Sequence, residues 1–253
     1  GCPMSRNPIT RDQWKLMAVL SLFWGTLFGA LGIFFPYYSL YLKEDLGLTG
    51  QQVGTAMGVF HLIGLIGQPA WGYIADRTGS RKRVLVILST GMALGFVAFW
   101  FVEKYAMLLL VSAGFAAFST SLIPQGMALG LGLLYRSNNS HFEWVRAFGS
   151  VGFLVTCFGF PYLLDAMKTE SGGSNMGLLF PCSAAIILLT TVTVFFIPNQ
   201  EAIREKAEPG SWRRLFADSR FIRFFIYVFL ANFILDWPMF MFGIFVKSVA
   251  SND

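Results

Sequence analysis

Seven apolar stretches, each long enough to cross a lipid bilayer, follow one another at residues 16–42, 53–75, 84–102, 105–134, 144–164, 177–197 and 221–246. A spanning helix needs about 20 mainly apolar residues. Inside lipid, every backbone N–H and C=O must find its partner within the protein, which leaves helices and closed barrels. A barrel would show segments of about ten residues with alternating polarity, whereas these stretches are longer and do not alternate. Helices of a large soluble core would need an outer amphipathic layer, and none lies between the stretches. Charged residues make up 13% of the chain, against about 25% in soluble domains. The expected fold is therefore all-α, a polytopic transmembrane helical bundle. The first stretch is too long for a cleaved signal and lacks a small-residue cleavage site.

The charge is ordered. With the N-terminus placed inside, fifteen of the nineteen Lys and Arg residues fall on the inner side, and only Lys43, Lys104, Lys168 and Lys247 fall outside. Acidic residues divide almost evenly, seven inside and six outside, with Asp236 in the membrane. Orientation follows Lys and Arg near helix ends, so the N-terminus is expected in the cytoplasm of a cell with a plasma or inner membrane. The basic residues sit in short segments at helix ends and form no continuous soluble surface, which argues against nucleic acid and for anionic headgroups. The lipid bilayer is the first partner. The expected organisation is a six-helix bundle at 1–197, a cytoplasmic linker at 198–220 with a short interfacial helix near 211–216, and helix 7 with a tail at 221–253. Cys2, Cys157 and Cys182 have no metal-ligand spacing and read as packing residues, and no cofactor is expected.

Between the second and third stretches lies Gly72-Tyr-Ile-Ala-Asp76-Arg77-Thr-Gly79-Ser-Arg81-Lys82-Arg83. Helix 2 is expected to end near Ala75, with Gly79 in a tight or left-handed turn. Asp76 can accept from free N–H groups or from Arg77 and Arg81. A basic topology anchor with a solvated aspartate is one account of this segment. The spacing Gly-x-x-x-Asp-Arg-x-Gly-x-Arg-Lys-Arg, at the turn between helices 2 and 3, resembles the signature of the major facilitator superfamily. The resemblance implies the first six-helix half of that fold plus one further helix, with the second half absent from this sequence. It also implies a gating role for Gly72, Asp76, Arg77, Gly79, Arg81, Lys82 and Arg83, as a cytoplasmic latch between the two halves.

Two further patches carry a resemblance. Phe142-Glu-Trp-Val-Arg146-Ala-Phe-Gly149-Ser-Val-Gly152-Phe153 is similar to the start of helix 5 in sugar, nucleoside and aromatic-acid proton symporters of the superfamily. In the lactose permease branch, the arginine matched by Arg146 contacts sugar and communicates with a carboxylate on helix 4. Residues 106–134 contain no Asp or Glu, so that partner is unmatched. Gly32-Ile-Phe-Phe-Pro36-Tyr37-Tyr38-Ser-Leu-Tyr41-Leu-Lys43 resembles helix 1 of phenylpropionate-permease-like members.

Polar residues at membrane depth need protein, water or solute to bond with. Tyr38 is expected either to stack against a solute ring or to join an interfacial aromatic belt. His61 and Gln68 share a face of helix 2, with His61 read either as a hydrogen-bonded helix contact or as a solute or proton contact. Gly54 and Gly58 on that helix, and the pairs Gly25/Gly29, Gly91/Gly95 and Gly126/Gly130, are expected to permit close helix approach. Gln125 follows Pro124 and is expected to satisfy the carbonyl that the proline frees, or to face a cavity. Arg146 can pair with Glu143 across one turn, can snorkel to the interface, or can face the cavity, which is what the resemblance implies. Asp236, with Asn232 four residues earlier, is expected to carry protons or to form an ion pair with the second half. The expected function is secondary transport of a small polar organic solute such as a sugar, nucleoside or aromatic acid. Proton coupling and alternating access belong to the same expectation. A receptor, an assembly subunit, or a transporter fragment without independent activity is the alternative. No catalytic motif points to an enzyme.

Overall fold

The computed structural model describes residues 10–137, 141–167, 176–199, 217–227, 230–231 and 234. Six of the seven apolar stretches form long helices: α1 (Arg11–Glu44), α2 (Gly50–Thr78), α3 (Arg81–Trp100), α4 (Tyr105–Arg136), α5 (Phe142–Ala166) and α6 (Leu179–Phe196), the last entered through a 3₁₀ turn at Met176–Leu178. All six are long and apolar enough to cross a membrane, and no strand occurs among the described residues. The seventh stretch is helical over 219–227. Asn232, Asp236 and the expected interfacial helix near 211–216 lie outside the described residues.

α1, α2 and α4 run past their apolar stretches because polar residues finish them. Thr10 caps α1 and Thr49 caps α2 in reciprocal boxes with Gln13 and Gln52, satisfying backbone N–H groups at both helix starts. α2 continues to Thr78, one turn beyond the expected end at Ala75. Gly79 then stops it in the left-handed conformation, at φ 67°, with its N–H donating to the Ala75 carbonyl.

The helices form a row. α2 packs on α4, α4 on α3, α3 on α6, α6 on α1, and α1 on α5, while α2 and α3, though consecutive, make little contact. Exchanging α1, α2 and α3 for α4, α5 and α6 leaves this list of neighbours unchanged. Because successive helices run in opposite directions, the two three-helix units enter the membrane from opposite sides, as inverted repeats do. α1, α3, α4 and α6 enclose an aromatic core. Phe34 stacks on Tyr38 at 4.5 Å between centroids and lies 5.3 Å from Phe96 and 5.1 Å from Phe115, and Phe99 stacks on Phe180 at 5.2 Å. The end helices expose apolar faces, such as Leu65 and Ile66 on α2 and Val155 and Phe158 on α5.

Lipid tails are as apolar as leucine, so helix association here depends on close packing and interhelical hydrogen bonds. The α1–α5 seam shows both. A Cβ on Gly152 would overlap the Gly25 carbonyl, and one on Gly32 would stand 2.5 Å from the Phe153 carbonyl oxygen. Thr156 Oγ1 donates to the Gly29 carbonyl at 2.7 Å, and Tyr37 Oη donates to the Cys157 carbonyl at 2.8 Å. Elsewhere Trp71 Nε1 donates to the Ala117 carbonyl at 2.7 Å, joining α2 to α4, and Thr191 Oγ1 donates to Ser89 Oγ at 2.8 Å, joining α6 to α3. The expected pairs Gly91/Gly95 and Gly126/Gly130 also admit neighbours, here the rings of Phe118, Phe115, Phe23 and Phe142. Gly54 and Gly58 do not: nothing lies within 4 Å of a Cβ at either position. Both sit on the exposed side of α2.

Gly152→Ala is expected to destabilise the bundle by about 1–3 kcal/mol, the range for forced overpacking. Gly54→Ala is expected to be neutral or to stabilise by about 0.5–1 kcal/mol through helix propensity. Thermal unfolding of the two variants in detergent separates the cases. Asp45, just beyond α1, provides a pH test. Burial, and secondarily the charge of Glu44, hold its carboxyl above the usual carboxylate range. The folded chain then binds that proton more tightly than the unfolded chain, so stability falls as pH rises from about 4 through the raised value. Asp45→Asn is expected to match the parent at pH 3.5 and to unfold at a higher temperature at pH 7.

Candidate functional site

The α1–α5 seam delivers Arg146 to two aromatic faces. Gly149 allows α5 to lie close to Phe28, whose ring would be 3.2 Å from a Cβ at that position. One turn earlier, the Arg146 guanidinium carbon stands 4.2 Å from the Phe28 centroid and 4.9 Å from that of Trp24. Trp24 is fully buried and meets Phe142 edge-on at 6.4 Å. Among the described residues no carboxylate is within ion-pair distance of Arg146, and Glu143 is exposed without pairing to it. Aromatic faces rather than the neighbouring acid therefore hold this cation. Such contacts contribute about 0.5–2 kcal/mol depending on desolvation, and they leave the guanidinium N–H donors available.

α1 and α4 also hold buried polar atoms whose hydrogen-bonding capacity is unsatisfied. Trp24 Nε1 and Gln125 Oε1 are buried without a hydrogen-bond partner. Gln125 is 7% exposed on α4, so its side-chain oxygen does not reach solvent or cap a neighbouring donor. The next residue, Gly126, admits the edges of Phe23 and Trp24, and the Gln125 amide nitrogen lies 3.8 Å from where a Cβ on Gly72 would be. α1 and α5 thus bring Trp24 and Arg146 together, with Gly126 of α4 at the far edge of the Trp24 ring, while the Gln125 side chain turns to Gly72 of α2. Trp24 and Phe28 were missed from sequence. The signal was their placement around Gly25, the point where α5 comes closest.

Other sequence-selected residues stand apart. Tyr38 is 4% exposed, donates to or accepts from Ser112 Oγ at 3.2 Å, and stacks in the aromatic core. It has almost no surface for a solute in this conformation. Tyr37 and Tyr41 are partly buried: Tyr37 Oη donates to the Cys157 carbonyl, and Tyr41 meets Phe180 edge-on at 5.0 Å. His61 and Gln68 are exposed on α2. The His61 Nδ1–H donates to the Met57 carbonyl at 2.9 Å within the helix.

The charged turn folds into a compact joint. Arg81 pairs with Asp76 at 3.2 Å across Gly79, and Arg77 donates to Tyr73 Oη at 3.2 Å rather than to Asp76. Ser80 caps α3 by accepting from the Arg83 N–H, while its own hydroxyl donates to Asn199 Oδ1 at 3.4 Å. Lys82 reaches the far end of α6, donating to the carbonyls of Phe195 and Ile197 at 2.8 and 2.6 Å. Those carbonyls have no intrahelical donor and carry the negative end of the helix dipole, so the ammonium is suited to both. Sequence spacing alone did not show this clasp, because α6 lies more than a hundred residues away.

A half-bundle of six membrane-spanning helices in inverted three-helix repeats, with an aromatic-held arginine at one seam, defines an integral membrane protein of the major facilitator fold. Residues 17–250 match the family described as "MFS_1 like family", and the chain belongs to it. It is 28% identical over 212 residues to the uncharacterized transporter YwbF of Bacillus subtilis, covering 84% of this chain and 51% of that protein. It is 32% identical over 172 residues to the probable 3-phenylpropionic acid transporter of Escherichia coli, covering 63% and 44%. Among solved structures, a mutant of the nucleoside transporter NupG superposes with a TM-score of 0.78 at 17% identity, over 93% of this chain and 59% of that one. The chain spans about half the length of the curated relatives it matches.

Lys82→Met is expected to weaken the α3–α6 tie by about 1.5–3 kcal/mol, the range for hydrogen bonds to a charged group. Arg77→Gln, which loses only an exposed contact, is expected to stay within about 0.5 kcal/mol of the parent. Denaturant titration of the purified chain by helical circular dichroism distinguishes them.

Proposed function

We propose that this chain forms the first half of a secondary transporter for a small polar organic solute, working by alternating access in a plasma or inner membrane with its N-terminus in the cytoplasm. One observation carries the reading. Arg146 is a half-buried cation at a transmembrane seam, held on Trp24 and Phe28 without a carboxylate among the described residues. A guanidinium presents five donors and no acceptor, so its complement is a solute rich in acceptors, such as a carboxylate or a polyhydroxyl group. Trp24, whose Nε1 is buried without a hydrogen-bond partner, is one of the two rings beneath this cation. Relatives named as a probable 3-phenylpropionic acid transporter and a maltose permease support solutes of this kind. The partner for the exposed faces of α2 and α5 is a second six-helix half.

Proton coupling is assigned to Asp236. A carboxylate at that depth costs about 2.5–3.5 kcal/mol on insertion scales, which favours its protonated form or a charged partner. Asn232, His61 and Gln68 complete the proposed polar path. The test is uptake of a panel of sugars, nucleosides and aromatic acids into proteoliposomes with and without an inward proton gradient. The expected result is gradient-stimulated uptake of one class, lowered at least tenfold by Arg146→Gln, with Asp236→Asn abolishing the stimulation. Uptake equal in both conditions would remove the coupling, and full uptake by the Arg146 variant would remove the site.

A further inference from the structure

The turn that bears the clustered cations has an electrostatic excess. Arg81, Lys82 and Arg83 occupy the first turn of α3 with no acidic residue among them. The N-terminal end of a helix already carries partial positive charge, so cations there are unfavourable unless answered. Two of the three are answered: Arg81 by Asp76, and Lys82 by the terminal carbonyls of α6. Arg83 is exposed and its guanidinium has no partner among the described residues.

Arg83 does not stand over open surface. With Lys82, Val86, Ile87, Phe195 and Asn199 it lines a groove of about 380 Å³ between α3 and α6. The polar end of this groove offers donors and no carboxylate. Lys82 has used two of its three ammonium protons, Arg83 retains its side-chain donors, and Asn199 accepts from Ser80 through Oδ1 and keeps its amide N–H groups. The other walls are apolar, with Ile87 49% and Phe195 61% exposed along the membrane-spanning parts of α3 and α6. A cluster of donors that passes into an apolar channel at a helix end matches an anionic amphiphile.

We propose that this groove binds one anionic phospholipid, its phosphate on Arg83, Lys82 and Asn199 and one acyl chain along Val86, Ile87 and Phe195. The bound phosphate supplies the third counter-charge of the turn. The site is independent of the solute path, and its occupancy can be read without transport.

Native mass spectrometry of the full chain, released from detergent after incubation with phosphatidylglycerol or phosphatidylcholine of the same acyl chains, tests the proposal. The parent is expected to retain one phosphatidylglycerol about fivefold more often than phosphatidylcholine, the scale of one basic residue near an anionic lipid. Arg83→Gln is expected to erase the preference, Arg83→Lys to keep most of it, and Lys104→Gln, an equal loss of charge at the start of α4, to leave it intact. If Arg83→Gln does not fold, Ile87→Asp, which obstructs the apolar wall, is expected to lower retention of the lipid. Equal retention of both lipids by the parent, or equal loss in the Arg83→Gln and Lys104→Gln variants, overturns the site. Displacement of the lipid by millimolar inorganic phosphate also overturns it, since the apolar wall would then contribute nothing.

Discussion

The contact on which the structure turns is the near-touching of two backbones, α1 at Gly25, Gly29 and Gly32 against α5 at Gly149, Gly152 and Phe153. In water such an approach would add to a hydrophobic gain. In lipid that gain is absent, and dispersion contacts with a few polar clamps must suffice. Removing side chains from both helices lets the Thr156 hydroxyl reach the Gly29 carbonyl. It also sets the Arg146 side chain against Trp24 and Phe28. Packing and site are one construction here, because a wider seam would carry the cation away from both rings.

The spans, their number and the turn after α2 were legible in the sequence, because length and charge at helix ends are dictated by the bilayer itself. Facing was less legible. A soluble helix declares its inner side by alternation of polar and apolar residues, but in lipid both sides are apolar. Gly54 and Gly58 therefore looked like contact glycines and lie open. Tyr38 looked like a cavity aromatic and is enclosed by Phe34, Phe99 and Phe180. Arg146 was found because charge within an apolar run is conspicuous, while Trp24 and Phe28 were hidden among 27 phenylalanines and seven tryptophans.

The inverted repeat explains why the aromatic core and the buried polar atoms occupy different places. α1 and α4 exchange under the repeat and both belong to the core, each with one further neighbour at an end of the row, α5 for α1 and α2 for α4. The core is closed by Phe34 and Phe115 from those two helices. The buried polar atoms of the same pair belong to other residues, Trp24 on α1 beside α5 and Gln125 on α4 beside α2.

The joint between α2 and α3 contains only Gly79 and Ser80, and the helices it connects share α4 as a neighbour, while α3 has a second support in α6. α3 is pinned to α6 at its tip by Lys82 and Ser80, whereas α2 leans on α4. A relative tilt of the two supports cannot be absorbed by slack in so short a link. It would act first on the 3.2 Å span from Asp76 to Arg81, which crosses the joint on its water-exposed side. That ion pair is thus a strain gauge fixed between α2 and α3 within the first three-helix unit, reading the angle at which the two helices meet the membrane surface.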